Sequence, residues 1–524
     1  MGIPSYFSHI IKNHRNIIQN VNSVSSIQNL YLDSNSIIYD AVYKLQKLYQ
    51  DDNQFEQLLL KEVQNTLYNH IEKLQPKRVY IAFDGVAPIA KLQQQRERRF
   101  KSQFFNELYE SENIKSNSNW NTVAITPGTQ FMEKLHSFFQ GIEQRIQQKF
   151  RFVKDVIFSS WKDAGEGEHK LFEYIRNVPH HDEVTVVYGL DADLIMLSIC
   201  HLQYCNKLYL YRETPEFIKS IDSSLKPNES YILHINYLGD QIYNLLNSKN
   251  NKTSATKYDI LQDYIFLCFL LGNDFMPHFP ALNIRTNGIY HLVECYNQFM
   301  TSTIIHNNKI SWQMFRKFVN ILMENEELWI IEEYDNLVKR EKRFMKASND
   351  EEMKNKIMNI PCNNRSIEHY INPHEKGWIN RYYDKCFHVD YEEKRIKQIC
   401  HNFLEALEWT YHYYTHGCKC WAWKYNYNYA PLLRDIYKYI PYFETEFITS
   451  GSSTPLQPHI QLAYVLPYDS LQFIKHPKVS DIQSYLGSIH SSYEIEWAFC
   501  KYLWEAHVHM PDINIKTLQK ILTT

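Results

Sequence analysis

Three short runs are apolar at almost every position and close on an acid: Leu30 to Asp33, Val79 to Asp84, and Val184 to Asp191. Runs that do not alternate read as strands buried on both faces, the pattern of a parallel sheet. Helical periodicity fills the intervals over Phe55 to Leu74 and Phe131 to Phe150, so the N-terminal part predicts an α/β domain. The stretches Ser111 to Asn121, Asn247 to Lys257, Glu332 to Lys356 and Thr449 to Thr454 read as loops or linkers. Within the third, acidic neighbours make Lys339 to Arg343 a solvated helix face rather than a nuclear signal. Beyond about residue 366 aromatic residues become dense, the strand–helix alternation fades, and no internal repeat is visible.

Composition narrows the classes. With 44% hydrophobic residues among 524, the chain can bury a large core. A formal charge of -3, from 56 basic and 59 acidic residues, rules out a globally basic nucleic-acid binder; a polyanion must meet a local patch. The cysteines form no C-x-x-C pair, and Cys418 and Cys420 read as core thiols, so a reducing interior without a zinc ribbon is expected. The longest uncharged apolar run, Ile265 to Leu271, is too short to cross a bilayer. Tyr6 stands where N-myristoylation needs Ser or Thr. A soluble, cytoplasmic protein without membrane attachment is the expectation.

The acids carry the candidate chemistry. In an open parallel sheet, ligands bind beyond the carboxyl ends of the strands, where Asp33, Asp84 and Asp191 fall. Asp193 follows at the start of the helical run Leu194 to Leu202, Glu166 and Glu168 form a second close pair, and Asp274 follows the helical run Tyr264 to Leu271. Singly, each reads as an N-cap or a first-turn acid. Together, seven carboxylates would repel one another and take up protons unless cations neutralised them. Oxygen-only ligands suit Mg²⁺ or Mn²⁺, and a pair of such ions points to phosphodiester hydrolysis. Just past Asp84, residues Lys91, Gln95, Arg98 and Arg99 recur at i, i+4, i+7 and i+8, one face of a helix. Such a face is either ordinary solvated surface or a grip for a terminal phosphate.

These segments, in this order, resemble the 5′-to-3′ exoribonuclease (Xrn-type) family. The resemblance runs through Met1 to Pro4, Leu30 to Ile38, Ile81 to Phe100, Ile125 to Thr129, Gly165 to Arg176, Tyr188 to Leu197 and Phe266 to Pro277. It continues in Gly377 to Tyr383, Phe403 to Leu433, Gln461 to Pro467 and Trp504 to Pro511. It implies a mainly parallel sheet flanked by helices, like PIN and flap nucleases, over residues 1–300, a connection over 301–366, and a mostly helical second region over 367–524 closing the site. It implies processive hydrolysis of single-stranded RNA bearing a 5′-monophosphate, with release of nucleoside monophosphates. The family's metal-binding acids fall on Asp33, Asp84, Glu166, Glu168, Asp191, Asp193 and Asp274, and its 5′-phosphate pocket on Lys91, Gln95, Arg98 and Arg99. Tyr39 stands where members have a histidine stacked on the first base, and Trp421, with Trp423 next in line, matches the partner on the other side of that base. The resemblance implies a shortened form consisting of the catalytic core, a monomer with RNA-decay factors such as decapping proteins as partners. It lacks the zinc-knuckle cysteines of nuclear members. A flap DNA endonuclease shares the acids but carries a Gly-rich helical hairpin that is missing after Asp274, and an inactive RNA-binding scaffold would be expected to have lost some acids.

Overall fold

The computed structural model describes residues 3, 5–24, 26–114, 120–178, 180–213, 226, 229–247, 255–341, 345–448, 454–490 and 493–523. Seven strands form one sheet: β1 (Ile18–Asn20), β2 (Asn29–Asp33), β3 (Arg78–Ala82), β4 (Asp155–Ser159), β5 (Val184–Tyr188), β6 (Lys207–Glu213) and β7 (Ser230–His234). Their order is β1-β7-β6-β5-β2-β3-β4. The five strands from β6 to β4 are parallel, and β7 and β1 add an antiparallel edge. From β2 the chain builds outward through β3 and β4, then returns to place β5 on the other side. The β2–β5 boundary is therefore the switch point at which such sheets bind ligands.

The predicted parallel, doubly covered sheet is present, and the strand sequences show why. Along β2, Leu30 and Leu32 enter a core beneath the helices Asp52–Leu74 and Gln130–Phe139, while Tyr31 enters the opposite core; Val79, Ile81 and Tyr80 divide likewise on β3. The opposite core is continuous from Ile3 to Ala498 and takes in helices Trp312–Glu341, Trp378–Phe387, Glu393–Thr415 and Leu433–Tyr439, while the last helices, from Pro458 on, pack in a separate cluster against the start of helix Ile89–Ser111. Helix Trp312–Glu341 belongs to it through Trp312, Phe315, Phe318, Val319 and Leu322, so the 301–366 segment is packed structure along its helix.

Two expectations need correction. Glu332 to Lys356 is not a loop throughout: the long helix runs to Glu341, and a second helix, Asp350–Met358, is capped by Asn349. Its charges face solvent, whereas Leu337 is buried, which a count of charged residues does not reveal. Phe131 to Phe150 is two helices, Gln130–Phe139 and Ile142–Lys149, broken where Gly141 takes φ 72°. The loop readings at 247–257 and 449–454, residues 342 and 343 of the basic cluster, and the first two residues lie wholly or largely outside the described residues, as do residues 115–119 of the 111–121 segment, whose first residue ends a helix. No helix among the described residues is long and apolar enough to cross a membrane.

Candidate active site

Asp33 is the last residue of β2, Asp84 lies two past β3, and Asp191 lies three past β5, so the sheet brings all three to one edge. Asp84 is fixed on both oxygens. Gly167 N donates to Oδ1 at 2.6 Å and Asn35 Nδ2 to Oδ2 at 2.5 Å, while Asp84 N donates back to Asn35 Oδ1. The Glu166 loop is tied to the Asp84 loop by two backbone bonds of 2.8 Å, Gly85 N to Gly165 O and Gly165 N to Val86 O. A Cβ on Gly167 would lie 2.7 Å from Asp33 Oδ1, so only glycine lets the loop come this close. Helix Gly167–Asn177 starts there, directing its positive end at the acids, with Glu166 as N-cap residue and Glu168 in its first turn. Asp193 opens helix Asp193–Cys200. Asp274 follows helix Lys257–Phe269 through Gly272 at φ 81°.

A lysine enters this cluster. Lys91 Nζ lies 2.7 Å from Glu166 Oε1 and 2.9 Å from Asp274 Oδ2. Tyr413, on the C-terminal helix Glu393–Thr415, donates its hydroxyl to the other oxygen of Glu166 at 2.7 Å. Burial, then mutual repulsion, pushes the Asp33 and Glu168 carboxyls well above their ordinary range; Asp84 rises to about 6 and Asp193 to about 7 for the same reasons. Asp274 goes the other way: burial opposes its charge, but cationic neighbours led by Lys91 hold it well below the usual range. Glu168 Oε2 and Asp193 Oδ1 are buried with no hydrogen-bond partner among the described residues. An excess of buried carboxylate with unpartnered oxygens is the environment a hard divalent cation fits. Repulsion links Asp33 to Asp84, Asp191 and Glu166, and Asp193 to Asp274 and Glu168, two overlapping sets around the same loop.

A stability prediction follows from these directions. A carboxyl whose folded pKa is raised destabilises the fold above that pKa and ceases to do so as pH falls toward its unfolded value. The metal-free protein should therefore lose stability as pH rises from about 4, where the unfolded carboxyls ionise, and the loss should level off above about 6 to 7, where Asp84 and Asp193 have ionised in the fold. Mg²⁺ at ten times its Kd adds about 1.4 kcal/mol. Because protons compete for the same oxygens, the Mg²⁺-induced gain in Tm should be larger at pH 8 than at pH 5.5. Melts at both pH values, with and without Mg²⁺, check this; equal gains would contradict it.

The acids and the basic face open into one cavity of about 260 Å³, lined by Asp33, Asp84, Glu166, Glu168 and Asp191 on one side and Lys91, Gln95, Arg98 and Arg99 on the other. Asp193 and Asp274 lie outside its lining, and Asp274 borders a neighbouring cavity. The basic helix is Ile89–Ser111. Arg99 is anchored by its donations to Thr126 Oγ1 at 2.7 Å and Val465 O at 3.4 Å; Arg98 is exposed. Tyr39, 41% exposed on helix Asn35–Leu45, lines the cavity close enough to Arg99 to favour its charge. Trp421 O accepts from Ile89 N at 2.9 Å, which sets that residue beside the start of the basic helix. Trp423 instead stacks on Trp409 and donates to Glu405 Oε2 at 3.1 Å.

The family model of the XRN 5′-3′ exonuclease N-terminus matches residues 1–214, and that of the Xrn1 helical domain matches residues 256–374 and 332–524. The chain belongs to the Xrn 5′-3′ exonuclease family. 5′-3′ exoribonuclease 1 of Saccharomyces cerevisiae is 26% identical, the alignment covering 99% of this chain and 43% of that protein. The human 5′-3′ exoribonuclease 1 is 26% identical over 100% of this chain and 34% of its own length, and that of Schizosaccharomyces pombe 33% identical over 58% and 24%. The chain thus spans less than half the length of these relatives.

Three residues of this Xrn-family site have no distinct signal in the sequence. Asn35 holds Asp84; a side-chain amide two residues past Asp33 reads equally well as a helix start. Lys170 Nζ holds the carbonyls of Phe83 at 2.8 Å and Ser160 at 2.9 Å beneath the acids, and burial lowers its pKa to about 8. Tyr413 comes from an aromatic run in which nothing distinguishes it from its neighbours. Only its approach to Glu166 does so.

Proposed function

We propose that this protein is a 5′-to-3′ exoribonuclease that hydrolyses single-stranded RNA from a 5′-monophosphate end, releasing nucleoside monophosphates processively. The observation that carries this reading is that five acids of the cluster, Asp33, Asp84, Glu166, Glu168 and Asp191, share one cavity with a cationic helix face, while Asp193 and Asp274 adjoin them through mutual repulsion and Lys91. Asp33, Asp84, Asp191, Glu166, Glu168, Asp193 and Asp274 would hold two Mg²⁺ or Mn²⁺ ions, which supply stabilisation of the attacking and leaving oxygens in an in-line displacement. The chain's own residues do the rest. Arg98, Arg99 and Gln95 seat the terminal phosphate, and Lys91 stands between that phosphate and the acids, within reach of either. Tyr413 and Asn35 fix the directions of Glu166 and Asp84, so the acids need not reorganise when substrate arrives. Tyr39 and Trp421 hold the first base by stacking, which tolerates any sequence. A monomer acting with RNA-decay factors in the cytoplasm accords with this role, as does a division into 1–300, 301–366 and 367–524.

The decisive assay incubates the protein and Mg²⁺ with labelled RNAs differing only at the 5′ end. Degradation of 5′-monophosphate RNA alone, with mononucleotide products, is expected. Equal cleavage of 5′-hydroxyl, 5′-triphosphate and 5′-monophosphate RNA would refute the proposed pocket.

Tyr39 offers a finer test. Tyr39→Phe should be nearly silent, and Tyr39→Ala should weaken substrate hold by up to roughly 1–3 kcal/mol. Since the ring is substantially exposed, neither variant should melt appreciably below the parent. An alanine variant with lowered Tm and an unchanged rate would make Tyr39 structural instead.

A further inference from the structure

We propose that His388, Glu496 and His509 form a second metal site, one that takes a transition-metal cation of the Zn²⁺ type. The three come from separate parts of the helical region. His388 caps the C-terminus of helix Trp378–Phe387 at φ 52°, while Glu496 and His509 lie on the two strands of the hairpin Glu494–Glu496 and His507–His509. The hairpin register pairs Glu494 with His509 and Glu496 with His507, which puts Glu496 and His509 diagonally on the same face. Each histidine meets a different oxygen of one carboxylate: His509 Nε2 lies 2.8 Å from Glu496 Oε2, and His388 Nε2 lies 3.5 Å from Oε1. The imidazoles approach edge to face at 5.0 Å, and one ligand atom from each of the three residues lies within 4.8 Å of the others. The amide of Asn428, 3.2 Å from His509 Nε2, is a further polar neighbour.

The donor set decides the ion. Two imidazoles and a carboxylate suit Zn²⁺ and its first-row neighbours, whereas Mg²⁺ and Ca²⁺ take oxygen ligands. The exposed side of His388 leaves room for water as a fourth ligand. Other histidine–acid pairs, His369 with Glu341 and His374 with Asp335, offer two ligands each and have no third among the described residues.

The position gives the ion a task. It would fasten the hairpin to helix Trp378–Phe387, and the chain around the hairpin supports the basic helix: Lys101 Nζ donates to Trp504 O at 3.3 Å and Arg96 Nη2 to Pro511 O at 3.2 Å. The site is structural, stiffening the wall behind the active-site cavity, and does not depend on what that cavity cleaves.

Titration of the full chain with Co²⁺, in a buffer holding millimolar Mg²⁺ to occupy the acid cluster, tests this. One equivalent with the intense visible bands of a tetrahedral site, displaced by Zn²⁺, is expected. The His388→Gln and His509→Gln double variant should bind Co²⁺ at least about tenfold more weakly, while an Asp193→Asn variant should keep the spectrum. If the double variant fails to fold, His388→Gln alone, at an exposed position, serves in its place. Absence of the tetrahedral spectrum in the parent, or its persistence at unchanged affinity in the histidine variants, would overturn the proposal.

Discussion

Asp193→Asn is expected to lower Mg²⁺-dependent hydrolysis of 5′-monophosphate RNA by at least ~10²-fold while raising the melting temperature of the metal-free protein at pH 8. Both effects come from one environment. Asp193 is buried, its Oδ1 has no hydrogen-bond partner among the described residues, and burial followed by repulsion from Asp274 lifts its pKa to about 7. At pH 8 the folded state must carry this charge at a cost, whereas asparagine carries none. The stability difference should shrink as pH falls from about 7 toward about 4, because the parent then takes up the proton that relieves it. Rates at saturating Mg²⁺ and melts at pH 8 and pH 5 measure the two sides. RNA binding should persist, since the cationic face is untouched. A variant that turns over within tenfold of the parent would remove Asp193 from the metal site; one that melts lower at pH 8 would show that its charge does not oppose folding.

Arg98→Ala combined with Arg99→Ala should erase discrimination between 5′ ends as well as most of the rate. Hydrogen bonds to charged groups contribute about 1.5–3 kcal/mol each, so losing both guanidinium contacts predicts a fall in kcat/KM of roughly 10²–10⁴. Burial lowers the Arg99 pKa to about 10, still above assay pH, so that guanidinium remains charged in the pocket. Its contacts with Thr126 and Val465 hold it in place before substrate arrives, whereas exposed Arg98 can turn to meet the phosphate. Arg99→Ala alone should therefore cost more than Arg98→Ala alone. Measured kcat/KM for monophosphate and hydroxyl RNAs in all three variants checks this. Retention of the parent's preference in the double variant would mean that the terminal phosphate is read elsewhere.

Much of the sheet and the list of acids was legible because both are local. A short apolar run without alternation, carrying β-branched or aromatic residues, reads as a strand covered on both faces, as Tyr31 and its neighbours Leu30 and Leu32 are, and an acid closing such a strand stands at a sheet edge. The same locality misleads where charge outnumbers the apolar residues, as in the last turns of helix Trp312–Glu341, where the buried Leu337 faces inward.

What the sequence alone determined is the inventory: seven carboxylates placed at strand ends and turns, and a cationic face one helix turn beyond Asp84. The tertiary structure decided which of them meet. The parallel register aligns Asp33, Asp84 and Asp191 although they are far apart in the chain, and Gly167 lets Glu166 and Glu168 close on them. It also drew Lys91 from the phosphate face into contact with Glu166 and Asp274, and brought Tyr413 from the helical region onto Glu166. The reason is the range of the forces. Backbone propensity and hydrophobic period act over a few residues and leave a trace in the sequence, whereas burial and Coulomb interaction act between groups that only the packed chain makes neighbours.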